Sequence, residues 1–184
     1  MSLHDTPTGY GSISRLNHWL GAALVLALLA IGLYFEDMPR GDAKIYWVKL
    51  HIAIGALAVP LLAFRVIWRV KNLHAGPAEF AQPVALQWLT RIVHGLLLLG
   101  IAVLIVSGPL MVWTGGRAID VFGWFAIPSP TGEIHALHEA LEVVHAFTAK
   151  VILFAVIGHV LGALKHLVFE RDRLLGRMLG RSSA

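Results

Sequence analysis

Residues 92–116 read IVHGLLLLGIAVLIVSGPLMVWTGG and contain no Asp, Glu, Lys or Arg. This uncharged run of 25 residues exceeds the roughly 20 apolar residues that an α-helix needs to cross the hydrocarbon core of a bilayer. The Gly108-Pro109 pair near its end predicts a kink, since proline interrupts helical hydrogen bonding. Lipid is therefore the expected environment of this helix.

Three further apolar runs have comparable character. Residues 17–35 are free of charge, residues 50–64 form a shorter uncharged run extended by apolar flanks, and the last run extends from about Leu141 to Leu164. We predict an all-α integral membrane protein, because lipid-exposed backbone must satisfy its hydrogen bonds within each segment. It is expected to be a single four-helix bundle domain over residues 1–184, with spans at about 15–36, 45–70, 88–114 and 138–168.

Composition agrees with a lipid-covered protein. Hydrophobic residues make up 57% of the chain and charged residues 14%, and the mean hydropathy is +0.72. A water-soluble domain of this size needs more surface charge. The basic residues behind the net charge of +4 lie in short segments between apolar runs, so no nucleic-acid partner is expected. The absence of cysteine excludes iron–sulfur clusters and covalent haem attachment through Cys-x-x-Cys-His.

Lys and Arg are unevenly distributed among the segments outside the spans. The N-terminus, the second connection and the C-terminus hold ten, whereas the first and third connections hold four. By the positive-inside rule, both termini are predicted to be cytoplasmic. The third connection, Arg117 to about Ala140, is rich in Gly and Pro and is expected to form a small extracytoplasmic cap. The ten are Arg15, Arg65, Arg69, Lys71, Arg91, Lys165, Arg171, Arg173, Arg177 and Arg181.

Histidines occur within or at the ends of the spans, where an ionisable side chain is costly and indicates function. His145 and His159 are 14 residues apart, which places them on nearly the same helix face and roughly 21 Å apart. His18 starts the first span at the depth of His159, and His51 starts the second at the depth of His145. Two imidazole pairs at two depths are typical of two stacked bis-histidine haems in a helical bundle.

A haem also requires space and partners for its propionates. Arg65 follows His51 by 14 residues, so it is expected on nearly the same face at the cytoplasmic end. With Arg15 and Arg69, it is predicted to pair with propionates of the inner haem. The alternative is that these arginines are ordinary flanking residues. Four glycines are expected either to let a flat ring approach the backbone or to serve helix packing: Gly21, Gly55, Gly158 and Gly162.

Several segments together form a familiar pattern over nearly the whole chain: 14–20 (SRLNHWL), 49–55 (KLHIAIG), 65–69 (RVIWR), His94, the His145-to-His159 spacing and His166. With these segments the chain resembles the bacterial cytochrome b561 family of four-helix dihaem membrane cytochromes. The resemblance implies two non-covalent haem b groups in a multi-pass protein of the bacterial inner membrane. It implies that His18 pairs with His159 at the inner haem and His51 with His145 at the outer haem, as axial ligands. It also implies electron exchange with quinone.

Two further histidines lie at the predicted cytoplasmic side. His94 begins the third span, and His166 follows His159 by about two turns on the same face. Both are predicted to hydrogen-bond a quinone such as ubiquinone or to carry its protons, since histidine titrates near neutral pH. The alternative for each is contact with a propionate or interfacial packing.

Lys150 does not match the family pattern. It lies at mid-membrane depth and is rotated about 140° from His145, so it is expected to face away from the haem. Snorkelling, contact with an acidic group of a partner, and electrostatic adjustment of the haem potential are three open interpretations.

Two axial histidines fill the coordination shell of iron, so outer-sphere electron transfer is the expected activity. We predict an oxidoreductase that moves electrons across the bilayer between the quinone pool and a small extracytoplasmic donor or redox protein. The family resemblance makes superoxide oxidation coupled to ubiquinone reduction one candidate. The alternative is a membrane-anchor cytochrome b subunit of a periplasmic dehydrogenase or hydrogenase.

A non-haem metal-binding membrane protein is a different class. Residues 135–142 contain two histidines and two glutamates at helical spacing, and Glu142 to His145 reads Glu-x-x-His. A di-iron site needs two such motifs and further glutamates on facing helices, and the first three spans have no interior Glu or Asp. A zinc transporter would need carboxylates at mid-depth. Both interpretations are therefore disfavoured, and His4 and His74 are expected to be ordinary interfacial residues.

Overall fold

The computed structural model describes residues 2–7, 9–72, 83–170 and 174–180. Four of its helices are long and apolar enough to cross a membrane, which confirms the predicted all-α membrane bundle. His74 and three arginines used for the orientation argument, Arg171, Arg173 and Arg181, lie outside the described residues. The helices are α1 (Ser12–Glu36), α2 (Asp42–Lys71), α3 (Val84–Thr114), α4 (His135–Lys165), which continues as a π-helical turn (His166–Glu170), and the short α5 (Leu174–Met178).

Consecutive helices pack side by side, and α3 and α4 share the most extensive contact. The buried core is small and consists of aliphatic side chains from three helices, with Ile152 of α4 fully buried. Gly100 of α3 allows this close approach, because a Cβ there would lie 2.6 Å from Ile152 Cδ1. Large apolar side chains such as Phe147 and Phe154 point outward. An outward apolar surface of this kind suits lipid rather than water.

The two ends of the bundle differ in structure. At one end, here called the N-terminal end, the indole N–H of Trp19 in α1 donates to the carbonyl of Met178 in α5 at 3.1 Å. The first turns of α1 and the short helix α5 therefore lie on the same side of the bundle. At the opposite end, here called the hairpin end, two strands form an antiparallel hairpin between α3 and α4: β1 (Ile119–Val121) and β2 (Phe125–Ile127).

Proline does not end either of the helices that contain it. Helix α3 continues through Pro109 to Thr114, and α2 contains Pro60. Thr114 donates its hydroxyl to the carbonyl of Leu110 at 2.7 Å, which satisfies a backbone group in the last turn of α3. This bond lies beyond Pro109, whose missing N–H frees the carbonyl of Ile105, and proline is generally tolerated inside membrane helices.

Lys150 forms an ion pair within the chain. Its Nζ lies 2.8 Å from Oε1 of Glu36, the last residue of α1, and both side chains are about half exposed. Of the three interpretations of Lys150, the structure therefore shows contact with an acidic group. That group belongs to this chain and not to a partner protein. The pair joins α1 to α4 toward the hairpin end.

Candidate haem site

The histidine pair nearer the hairpin end joins α2 to α4. The ring centroids of His51 and His145 are 6.3 Å apart, with the planes nearly perpendicular. His145 Nδ1 lies 2.9 Å from the hydroxyl of Ser107 on α3, and Gly108 leaves room for the His145 ring. His51 Nδ1 is buried without a hydrogen-bond partner, and the edge of Phe35 packs against its ring. The two imidazoles thus face each other in a largely apolar pocket.

The second pair, nearer the N-terminal end, joins α1 to α4. The ring centroids of His18 and His159 are 6.1 Å apart, with the planes tilted by 55°. Arg65 of α2 places Nη2 3.2 Å from His18 Nδ1 and donates Nη1 to the carbonyl of Asn17 at 3.1 Å. His94 of α3 also lies here, with its ring centroid 5.1 Å from that of His159. Three imidazoles and one guanidinium therefore meet at this end.

Both pairs fit a metal held between two imidazoles. A first-row metal lies about 2 Å from each ligating nitrogen, and each ring centre lies about 1 Å further back, which gives a centroid separation of roughly 6 Å. The observed separations of 6.3 and 6.1 Å match this arrangement. Because Ser107 engages His145 Nδ1, Nε2 is the nitrogen left for a metal. Two neutral imidazoles are a suitable donor set for the two axial positions of a haem iron.

The glycine behind His145 was not recognised from the sequence, where Gly108 was interpreted only as part of a kink. A Cβ at Gly108 would lie 3.3 Å from His145 Cε1, which is tighter than ordinary van der Waals contact. Ser107 was also overlooked. Ser107 is the single residue with a hydroxyl group between Gly95 and Val112. Because a lone polar group in a membrane span generally has a partner, this isolation could have marked Ser107 as a contact of a functional side chain.

Substituting Gly108 with valine is therefore expected to displace the His145 ring and to lower haem retention at the hairpin-side pair by half or more. Gly95→Val is the matched control, because it introduces the same β-branched residue into the same helix, α3, at a position where a Cβ meets no atom within 4 Å. Haem per chain, measured as pyridine haemochrome after purification, distinguishes the two variants. Equal haem content in both would contradict this role of Gly108.

Of the four glycines expected to make room for a haem, Gly21 has a different neighbour. A Cβ at Gly21 would lie 2.8 Å from Cδ of Arg65, so Gly21 admits the arginine side chain. Arg65 is the only one of the three proposed propionate partners that the described structure places against a paired histidine. Arg15 lies against Gly180 in the C-terminal segment, and Arg69 Nη1 lies 3.5 Å from the carbonyl of Asn72.

His166 lies beyond His159 at the start of the π-helical turn. Its Nδ1 lies 2.5 Å from Oε2 of Glu170, and Lys165 contacts the other carboxylate oxygen. The His166 side chain is mostly buried, so its ring is held in a fixed orientation. A π-helical turn inside an α-helix is frequent at functional sites.

The residues considered for a di-iron centre do not converge. His135 lies 3.4 Å from Glu139 on the exposed surface of α4, whereas His138 Nδ1 donates to the carbonyl of Met111 at 2.8 Å. Within residues 2–7, 9–72, 83–170 and 174–180, no three His, Asp or Glu side chains are placed to hold a metal ion. The described structure therefore favours paired imidazoles over a carboxylate-rich metal site.

Comparison with known proteins agrees with this geometry. The family model for prokaryotic cytochrome b561 matches residues 9–181. The chain is also similar to cytochrome b561 homolog 2 of Escherichia coli (strain K12), at 34% identity over 185 residues that cover 100% of this chain and 98% of the relative. A match of this extent reaches all four membrane helices and both histidine pairs. The chain therefore belongs to the prokaryotic cytochrome b561 family, as a bacterial membrane cytochrome b that binds b-type haem for electron transfer.

Proposed function

We propose that this protein holds two haem b groups and transfers electrons across the inner membrane between quinone and an extracytoplasmic one-electron partner. His51 and His145 are the proposed axial ligands at the hairpin end, and His18 and His159 those at the N-terminal end. The observation that carries the proposal is that α4 contributes one histidine to each pair. These two positions are 14 residues apart, so the pairs are separated by roughly 21 Å along the membrane normal.

A bound haem supplies one-electron chemistry, and the surrounding residues determine which chemistry is allowed. A pair of imidazoles would hold each haem iron, and a haem held in this way would supply electron transfer and not the binding of oxygen or substrate. Ser107 accepts the Nδ1 hydrogen of His145 and so directs Nε2 toward the opposite ring. Arg65 supplies the positive charge expected for a propionate. These features favour outer-sphere electron transfer over ligand chemistry.

The proposed orientation places the N-terminal end in the cytoplasm. The excess of Lys and Arg in the N-terminus, the second connection and the C-terminus supports this orientation. The contact between α1 and α5 also supports it, because it brings Trp19 and Met178, from the two segments with excess positive charge, to one side of the bundle. The hairpin end then faces the extracytoplasmic side.

We propose that quinone is bound at the N-terminal end, near His94 and His166. Oε2 of Glu170 lies 2.5 Å from His166 Nδ1, which orients the ring and places a carboxylate beside it as a further proton acceptor for a quinol. His166→Ala is expected to slow haem reduction by a quinol roughly tenfold or more, because general acid–base groups contribute at least this much. Stopped-flow absorbance would measure the rate.

The control for this substitution is His135→Ala, which removes an exposed histidine from the opposite end of α4. Both variants are expected to keep the wild-type haem content and spectra. Unchanged quinol kinetics in His166→Ala would remove His166 from the proposed quinone site.

For the extracytoplasmic partner we propose superoxide. Two superoxide ions each give up one electron to become O₂, and one ubiquinone takes up these two electrons together with two protons to become ubiquinol. Three cationic side chains at the hairpin end would attract such an anion, namely Lys44, Lys49 and Arg117, and four acidic side chains at the same end would repel it, namely Asp120, Glu133, Glu139 and Glu142. The alternative partner is a soluble dehydrogenase or hydrogenase for which this chain is the membrane anchor. Rapid haem reduction by superoxide in the isolated protein supports the first, and reduction that requires a co-purifying soluble protein supports the second.

Transfer across the membrane can be tested in sealed vesicles. With ferricyanide trapped inside and a quinol added outside, ferricyanide is expected to be reduced in vesicles that contain the wild-type protein. His145→Ala and His159→Ala are each expected to abolish this reduction, because each interrupts the path at one end. Equal rates in protein-free vesicles, or in either variant, would contradict transmembrane electron transfer.

A further inference from the structure

The hairpin between α3 and α4 has one anchored and one exposed strand. Strand β1 pairs with β2 in the register Ile119 with Ile127 and Val121 with Phe125. Residues 121–130, VFGWFAIPSP, contain no charged side chain. This absence of charge is unusual for a connection outside the membrane-spanning helices, since such loops are normally polar.

Strand β1 fixes the hairpin against the bundle at a definite depth. Ile119 and Val121 are buried with Val112 of α3 and pack against Ile52 and Ala56 of α2. Ile52 belongs to the uncharged run of α2, and α2 itself begins ten residues earlier, at Asp42. At a rise of 1.5 Å per residue, α2 extends about 15 Å beyond this contact. The hairpin therefore lies along the side of the bundle, near the boundary of its apolar region.

The opposite side of the hairpin presents large apolar side chains outward. Trp124 is 76% exposed, Phe125 51%, Phe122 43% and Ile127 40%. The rings of Phe122 and Trp124 contact each other, with centroids 5.6 Å apart. Phe122 has φ 55°, a backbone conformation that bulky residues rarely adopt. The turn therefore holds an aromatic ring outward although its backbone conformation is unfavourable.

We propose that this hairpin is an interfacial membrane anchor, with Trp124, Phe125 and Phe122 seated between the lipid headgroups and acyl chains of the leaflet on the hairpin side. Trp and other aromatic side chains are enriched at this depth, because an amphipathic ring matches the transition from water to hydrocarbon. Lipid is the occupant that the observations favour over a soluble redox protein. Docking of a soluble partner relies on complementary charge. Asp120 is the one charged residue of segment 119–130, and its carboxylate accepts a hydrogen bond from the Gly123 N–H of the turn at 3.3 Å.

The anchor has a consequence for the site. Strand β1 packs beside Ile52, the neighbour of His51. Embedding β2 in the interface would hold β1 against α2 at the level of the hairpin-side histidine pair.

The chain has no cysteine, so single cysteines can be spin-labelled selectively in the haem-loaded protein in phosphatidylcholine–phosphatidylglycerol vesicles. The substitutions are Trp124→Cys and Phe125→Cys in the hairpin. Phe154→Cys, at an exposed apolar position in the middle of α4, is the lipid control, and Glu139→Cys is the water control. Collision rates with O₂, which concentrates in lipid, and with a water-soluble nickel chelate are measured by electron paramagnetic resonance.

The ratio of O₂ to nickel collisions at both hairpin positions is expected to be several-fold higher than at position 139 and to approach the ratio at position 154. A ratio like that at position 139 would place the hairpin in water and overturn the proposal. Low collision rates with both agents would indicate a protein–protein contact, and this too would overturn it. The Phe125→Cys variant retains Trp124, so loss of the tryptophan alone cannot produce a negative result.

Discussion

Replacing His145 with alanine is expected to reduce the purified protein from two haems per chain to about one. The substitution removes one of the two imidazoles at the hairpin end and leaves His51 without its partner at 6.3 Å. The other pair is roughly 21 Å away along α4 and keeps both of its rings. Pyridine haemochrome absorbance per chain measures the ratio. His51→Ala removes the other imidazole of this pair. It is therefore expected to retain the same haem as His145→Ala does, with the same midpoint potential.

The complementary substitutions test the second pair. His18→Ala and His159→Ala are each expected to remove the haem at the N-terminal end and to spare the one at the hairpin end. His138→Ala is the control, because His138 lies on the same face of α4, two turns before His145, yet donates to the carbonyl of Met111. It is expected to retain two haems.

His94 provides the sharpest check on the pairing. Its ring lies closer to His159 than the ring of His18 does, at 5.1 Å against 6.1 Å between centroids. In the proposed assignment, His94→Ala keeps both haems and changes their environment only. Loss of one haem in His94→Ala, together with retention of two in His18→Ala, would reassign the ligand to His94.

Replacing Arg65 with methionine is expected to lower the midpoint potential of the haem at the N-terminal end by roughly 50 mV or more, because removing a nearby positive charge favours the more positive oxidised state. Arg65 has only N–H donors, so in its contact with His18 the Nδ1 atom must accept. An imidazole that binds iron through Nε2 carries its hydrogen on Nδ1 and cannot accept that bond. Haem binding is therefore expected to release Arg65 from His18 toward a propionate.

Redox titration followed by absorbance would measure the two potentials separately. Arg65→Lys preserves the charge and is expected to shift the potential by less than half as much. Arg69→Met is the control, because it removes a positive charge one turn further along α2. Among the contacts described, the Arg69 side chain reaches the carbonyl of Asn72. This substitution is expected to change the midpoint potential less than Arg65→Met does. An unchanged or raised potential in Arg65→Met would contradict the proposed role.

The sequence was sufficient to predict the four membrane helices, because each apolar run lies within one helix and, together with its apolar flanks, is long enough to cross a bilayer. The hairpin was predicted only as a small cap rich in Gly and Pro. Its two strands have three residues each, too few to show an alternating pattern. They are held by contacts with α2, which no local pattern reveals.

The arrangement of the site was predictable only where it follows from helical periodicity and from depth in the membrane. Helical periodicity places His145 and His159 on one face, and depth matching indicates their partners. Ser107, Gly108 and the pairing of Lys150 with Glu36 depend on contacts between different helices. The rotation of each helix about its own axis decides these contacts, and hydropathy does not specify that rotation.

The central claim is that two pairs of imidazoles at opposite ends of one helix each hold a haem b. The most direct test is a dithionite-reduced minus oxidised spectrum of the purified wild-type protein, combined with pyridine haemochrome quantification against protein mass. The account predicts a b-type spectrum with two haems per chain. A colourless protein after expression with ample haem, or one that binds a single haem at saturation, would contradict it.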